Sequence, residues 1–139
     1  KSGMMRLAYA ALDGAGSRGL AVVQRSMDPA RLAWFAQPAN PRLIWEEHRL
    51  ELGAPLHQPA SLDVADFDGD GRPDLLLAEH AAEGRLLLLH NRGRLQFETQ
   101  VLHQGAPALH AQAADFNGDG RPDILLVTPR AISWWENQR

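Results

Sequence analysis

Nine residues of this chain occur almost twice. Asp66-Phe-Asp-Gly-Asp-Gly-Arg-Pro-Asp74 returns 49 positions later as Asp115-Phe-Asn-Gly-Asp-Gly-Arg-Pro-Asp123, with eight of nine positions identical. The likeness runs outward as well. Trp45-Glu-Glu-His-Arg-Leu50 precedes the first copy as Phe97-Glu-Thr-Gln-Val-Leu102 precedes the second, and Gly53-Ala-Pro55 is answered by Gly105-Ala-Pro107. A chain built this way folds as a series of like units, each burying its apolar face against a neighbour.

A worn third copy lies 55 positions upstream, where Ala11-Leu-Asp-Gly-Ala-Gly-Ser-Arg-Gly19 keeps Gly14, Gly16 and one aspartate. Its turn is expected to persist without a metal site. After each copy come two short apolar runs: Leu20–Val23 and Leu32–Phe35, Leu75–Ala78 and Leu86–Leu89, Ile124–Val127 and Ile132–Trp135. Runs of four apolar residues between Gly/Pro turn signals are too short for ordinary helices and read as strands covered on both faces. In the middle unit the strands are predicted at about residues 60–67, 74–79, 85–90 and 97–102, with the acidic loop as the hairpin joining the first two.

A period near 50 residues and strands that need cover on both faces fit an all-β chain of β-propeller blades. The reading divides the chain into residues 1–5, set apart as a tag-like or disordered start; repeat 1 (6–52) with its degenerate loop; repeat 2 (53–104); and repeat 3 (105–139), which stops before its fourth strand. Three blades do not close a ring, since propellers use about four to eight. The units are therefore expected to be part of a larger propeller or to assemble into one.

The loop chemistry points to a hard cation. Asp66, Asp68 and Asp70 in one copy, and Asp115, Asn117 and Asp119 in the other, place side-chain oxygens at alternating positions ahead of a glycine, as an ion of calcium's size requires. The glycines permit positive-φ turns, and Pro73 and Pro122 hold Arg72 and Arg121 extended with their main-chain carbonyls turned to the ion. Asp74 and Asp123 close the shells. Two Ca²⁺ sites are thus predicted, the four-carboxylate loop binding more tightly than the one containing Asn117. An EF-hand is excluded, because its glutamate position falls on Leu77 and Leu126 inside apolar strands.

The pattern Asp-x-Asp-x-Asp-Gly-x-x-Asp, followed by an apolar strand and a Trp-aromatic-x-Asn close, resembles the FG-GAP/VCBS-type repeats of integrin α-subunit heads and many bacterial secreted proteins. Trp134-Trp-Glu-Asn137 carries that close fully and Leu88-Leu-His-Asn91 loosely. The resemblance covers nearly the whole chain from about residue 7 and implies a propeller, most often seven-bladed, with calcium in loops on one face. The phenylalanine-glycine pair of the family's name is not evident here.

Composition removes several function classes. Seventeen acidic against 14 basic residues, a net charge of -3, offers no electrostatic capture of nucleic acid or an anionic membrane. Seven of the acids sit in the two loops, so two divalent ions would bring the charge to about +1. No apolar stretch reaches the roughly 20 residues of a membrane-spanning helix. With no cysteine there is no disulfide, thiolate site or cysteine nucleophile. The histidines (48, 57, 80, 90, 103, 110) follow no zinc-ligand spacing, and Trp34, Trp45, Trp134 and Trp135 are assigned to strands as packing residues. Glu46, Glu47, Glu79 and Glu98 are read as solvated strand edges.

No nucleophile elbow, His-Glu-x-x-His or phosphate-cradling loop is present, so no catalytic residue is predicted. The expected function is a non-catalytic, calcium-stabilised module for adhesion or for binding a protein or carbohydrate ligand. Extracellular or periplasmic calcium would fill its sites, whose affinity class is about 10⁻⁴–10⁻³ M for such modules. A propeller enzyme such as a polysaccharide lyase, with Arg72 or Arg121 beside substrate, and a lectin-like ring of several copies are the competing expectations.

Overall fold

The computed structural model describes residues 5–25 and 29–138. Of the five N-terminal residues set apart above, 1–4 lie outside the described residues, and Met5 opens the first strand. Eleven strands follow one another: β1 (Met5–Ala10), β2 (Gly19–Gln24), β3 (Arg31–Ala36), β4 (Glu46–Arg49), β5 (Pro59–Ala65), β6 (Asp74–Glu79), β7 (Arg85–Asn91), β8 (Phe97–Gln104), β9 (His110–Ala114), β10 (Asp123–Val127) and β11 (Ile132–Trp135). They form three antiparallel meanders, β1-β2-β3-β4, β5-β6-β7-β8 and β9-β10-β11. No helix occurs among the described residues, as the short apolar runs required.

The middle sheet is the packing centre. Along β6 the side chains alternate in direction, so Leu75 and Leu77 pack with the first sheet while Leu76 and Ala78 pack with the third; all four are fully buried. Leu87 and Leu89 of β7 join the first cluster, Leu86 and Leu88 the second. This two-sided burial is why the sequence reads as continuous apolar runs instead of an alternation. Each buried leucine contributes about 1.5–3 kcal/mol.

The outer sheets have one closed and one open face. Ala21, Val23, Leu32 and Trp34 of the first sheet face inward, whereas Leu7 and Tyr9 of β1 are 57% and 51% exposed. In the third sheet Ile124 and Leu126 are buried against the second, while Ile132 and Trp134 are 71% and 53% exposed. Trp134 is therefore not a packing residue within this chain. Trp45 also departs from expectation: it precedes β4 and donates its indole N–H to the Pro41 carbonyl (3.1 Å). Glu79 is no solvated edge either. It is buried, takes the Arg85 guanidinium in a fork (2.5 and 2.7 Å), and accepts the main-chain N–H of His57 (2.8 Å).

Candidate metal centre

The loop 66–74 joins β5 to β6 and the loop 115–123 joins β9 to β10, at the same end of neighbouring sheets. Each curls through two glycines in the left-handed region, Gly69 and Gly71 at φ 76° and 83°, Gly118 and Gly120 at 78° and 84°. A side chain at those angles is strained, which explains why both copies keep glycine there. The worn copy follows the same path, with Gly14 and Gly16 at 74° and 83°.

Main-chain N–H groups hold the loop acids in place. Asp66 accepts from Gly69 and Gly71 (both 2.8 Å), Asp68 from Asp70 (3.2 Å) and Asp70 from Arg72 (2.8 Å). The third-sheet loop repeats the scheme: Asp115 accepts from Gly118 (2.7 Å) and Gly120 (2.8 Å), Asn117 from Asp119 (3.1 Å) and Asp119 from Arg121 (2.9 Å). These bonds fix the carboxylates while leaving further lone pairs on their oxygens. The N–H of Arg121 is the main reason the Asp119 carboxyl is held below the usual range.

The ninth position is a buried anchor. Asp74 is fully buried and accepts the N–H of Phe67 (2.9 Å) and of Asn91 (2.8 Å); Asp123 does the same with Phe116 (3.1 Å) and Asn137 (2.8 Å). Burial pushes the Asp74 carboxyl above its ordinary value, against the pull of those two donors. Each anchor thus ties the start of its loop to the end of the third strand of its unit. In the worn copy Gly19 takes that position. A Cβ there would lie 2.5 Å from the indole nitrogen of Trp34, which donates to the Ala10 carbonyl (3.1 Å), so the ring has replaced the carboxylate.

Two groups of donors come together in the second-sheet loop. Asp66, Asp68 and Asp70 present ligand atoms within 4.8 Å of one another, and Asp68, Asp74 and His90 do likewise. Both groups could hold a metal ion. Asp68 is shared between them, so the loop acids do not all converge on one point. Guanidinium groups partly offset the charge: Arg72 lies 3.2 Å from Asp70, and Arg92 lies 3.4 Å from Asp68. In the third-sheet loop Arg121 sits 3.0 Å from Asp119.

Two residues beside the loops escaped the sequence reading. His90 approaches Asp68, and Glu136 accepts from the Asn117 amide (2.9 Å). Each stands just before the asparagine that closes its unit, Asn91 or Asn137. That shared place in the closing motif was the available signal. His90 and Asp68 also line a cavity of about 290 Å³ between the second and third sheets, with Phe67, Leu102 and Trp135 among its walls.

Fold and site together define an all-β repeat protein with acidic hairpins between the first two strands of successive sheets. Residues 66–126 match the family model described as FG-GAP-like repeat, so this stretch is similar to repeats of the FG-GAP type. No curated protein and no solved structure gives a significant match to the chain.

Proposed function

We propose that this chain is a calcium-stabilised β-propeller-type module in which metal ions rigidify the hairpins and the loops at that end present a binding surface. It binds without catalysing. One observation carries the reading: the same nine-residue acidic hairpin joins the first two strands of two successive sheets, and in one of them three carboxylates sit within 4.8 Å of one another. Asp66, Asp68 and Asp70 form the oxygen-rich mouth of the first site, with Asp74 behind them; Asp115, Asn117, Asp119 and Asp123 supply the second, and the Arg72 and Arg121 carbonyls complete the shells. Hard oxygen donors on a flexible loop suit calcium better than the stricter octahedron of magnesium.

The three sheets are blades, and the open faces of the first and third are where further blades dock, from the same polypeptide or from another copy. A protein or carbohydrate ligand fits the cleft between the second and third sheets, where Trp135 and Phe67 offer apolar cover beside polar Asp68 and Gln100. Weak sites of this class fill at extracellular or periplasmic calcium levels, which supports a working environment outside the cytosol.

Thermal unfolding tests the reading. Calcium at a hundredfold excess over Kd stabilises the native state by about 2.7 kcal/mol per site. The unfolding midpoint should therefore rise with calcium and fall again with chelator. Equal midpoints in the two conditions would end the proposal.

A further inference from the structure

Trp34 and Trp134 hold the same place in their units, each opening the four-residue close Trp34-Phe-Ala-Gln37 or Trp134-Trp-Glu-Asn137. Trp34 is 1% exposed and Trp134 53%. The difference is cover: Trp34 lies under the second sheet, and among the described residues no sheet lies over Trp134. The rest of that face repeats the pattern. Strand alternation and register set Leu125, Val127 and Ile132 beside Trp134, at the places of Leu76, Ala78 and Leu86, which the second sheet buries against the third. The open face of the first sheet carries Leu20, Val22, Ala33 and Phe35 at the places of Leu75, Leu77, Leu87 and Leu89, which the second sheet buries against the first. One open face is thus a forward face without a follower, and the other a rear face without a predecessor.

We infer that these two faces fit each other, so that the third sheet of one copy packs on the first sheet of a second copy and two copies close a ring of six blades. The inference rests on the reading of the sheets as blades and commits their open faces to one occupant. Volume supports it. The second and third strands of the first two sheets meet through one alanine, one valine, one tryptophan and five leucines. The corresponding strands of the two open faces bring one alanine, one tryptophan, two leucines, two valines, one isoleucine and one phenylalanine. Isoleucine replaces a leucine of equal size, and valine with phenylalanine replaces two more, the volume-conserving exchange that cores tolerate.

Extent and polar contacts agree as well. The third sheet has three strands among the described residues, and the apolar part of the first sheet's open face spans the three strands β1 to β3. On β4 that face turns charged, with Glu47 opposite Phe35 and Arg49 opposite Ala33, and these exposed groups stay at the rim. Gln37 stands where Asn91 and Asn137 stand, the asparagines that donate to the second-residue carbonyl of the preceding turn. Its side-chain oxygen accepts the Tyr9 hydroxyl, which leaves its amide N–H groups for the Phe116 carbonyl of the copy in front. A head-to-tail contact of this kind forms a ring when its rotation completes the circle. Propellers of about four to eight blades admit two three-sheet copies and no other number.

The experiment weighs the chain in calcium by sedimentation equilibrium at about 100 μM, a hundredfold above a Kd of about 1 μM. Twice the chain mass is expected. A monomer, its faces awaiting further blades of the same polypeptide, overturns the inference, and so does a series of masses beyond two copies. Two variants at exposed positions then test which faces meet: Trp134→Arg on the third sheet and Leu7→Arg, 57% exposed, on the first. Each alone should be monomeric, because every junction buries an unpaired guanidinium. Mixed in equal amounts they should recover a two-chain species, joined through the one junction that carries neither change. Leu7→Arg pairing with itself means that third sheets meet one another and overturns the inference, as does no recovery on mixing. Should either variant fail to fold by circular dichroism, Ile132→Arg or Tyr9→Arg, 71% and 51% exposed, replaces it on the same face. A monomer whose midpoint rises with calcium ends this inference alone; a two-copy ring indifferent to calcium ends the calcium reading alone.

Discussion

The side-chain amide of Asn91 donates to the main-chain carbonyl of Leu12, 79 residues earlier, at 3.1 Å. One unit later Asn137 donates to the carbonyl of Phe67 at 2.9 Å. Leu12 and Phe67 are both the second residue of a turn copy, so each unit's closing asparagine reaches back to the turn of the unit before it. The same asparagine gives its own main-chain N–H to the buried aspartate of its loop. Acidic loop, third strand and preceding sheet are thereby joined through one residue, so that, on the proposed calcium reading, an ion in the loop would stiffen the stack.

Asn91→Ala leaves the Leu12 and Pro73 carbonyls without that donor, and a buried acceptor so stranded costs about 1–3 kcal/mol. Asn91 is fully buried, whereas Asn137 is half-buried and water can replace part of what it gives. Urea unfolding should therefore show a larger loss for Asn91→Ala than for Asn137→Ala. The reverse order would separate the closing asparagine from stability.

The two-sided packing of the middle sheet has its own signature. Leu76 is fully buried, and Leu76→Ala is expected to cost about 2–5 kcal/mol in the same assay. Ile44, 97% exposed in the β3–β4 connection, should tolerate Ile44→Ser within about 0.5 kcal/mol. Similar losses at the two sites would mean that the middle sheet is not the core.

Much of this was legible in sequence. The middle-unit strands lie within about two residues of their expected places, because turn residues bound them and the apolar runs of β6 and β7 are buried on both faces. Trp134 was not legible: its facing depends on what covers the third sheet, which the run Ile-Ser-Trp-Trp does not encode. Nor was Glu79, since the partner that makes its burial tolerable, Arg85, comes opposite only when β6 and β7 pair. His90 and Glu136 meet their loops across 22 and 19 residues, a proximity created by strand pairing and invisible to local spacing.

Carboxyl titration distinguishes the buried anchor from the exposed loop. The folded value of Asp74 is raised from 3.8 by burial, so the native state binds more protons than the unfolded one between 3.8 and the raised value. This group's contribution to stability therefore falls as pH climbs through that window and is constant above it. Asp119 has the opposite sign: its value is lowered, and its contribution, present above 3.8, is lost as pH falls through the lowered value. Carbon-detected NMR of the metal-free protein should place the Asp74 midpoint above 3.8 and that of Asp119 below it. The opposite order would contradict the burial argument.

On the proposed calcium reading, counting loop residues alone, four carboxylates against three would make the second-sheet loop the tighter site. Glu136 changes the comparison. Its oxygen lies 2.9 Å from the Asn117 amide, so on the proposed reading Glu136 would give the third-sheet site a fourth carboxylate from outside its loop. Both residues are exposed, so side-chain rotation would let the Asn117 oxygen and the Glu136 carboxylate face one ion. Glu136→Gln should therefore weaken the third-sheet site about tenfold, or about 1.4 kcal/mol, and leave the second-sheet site unchanged. Calorimetry on this variant in an Asp66→Asn background, where the second-sheet loop is disabled, reads the effect on one site. An unchanged isotherm would remove Glu136 from the shell and restore the simple count.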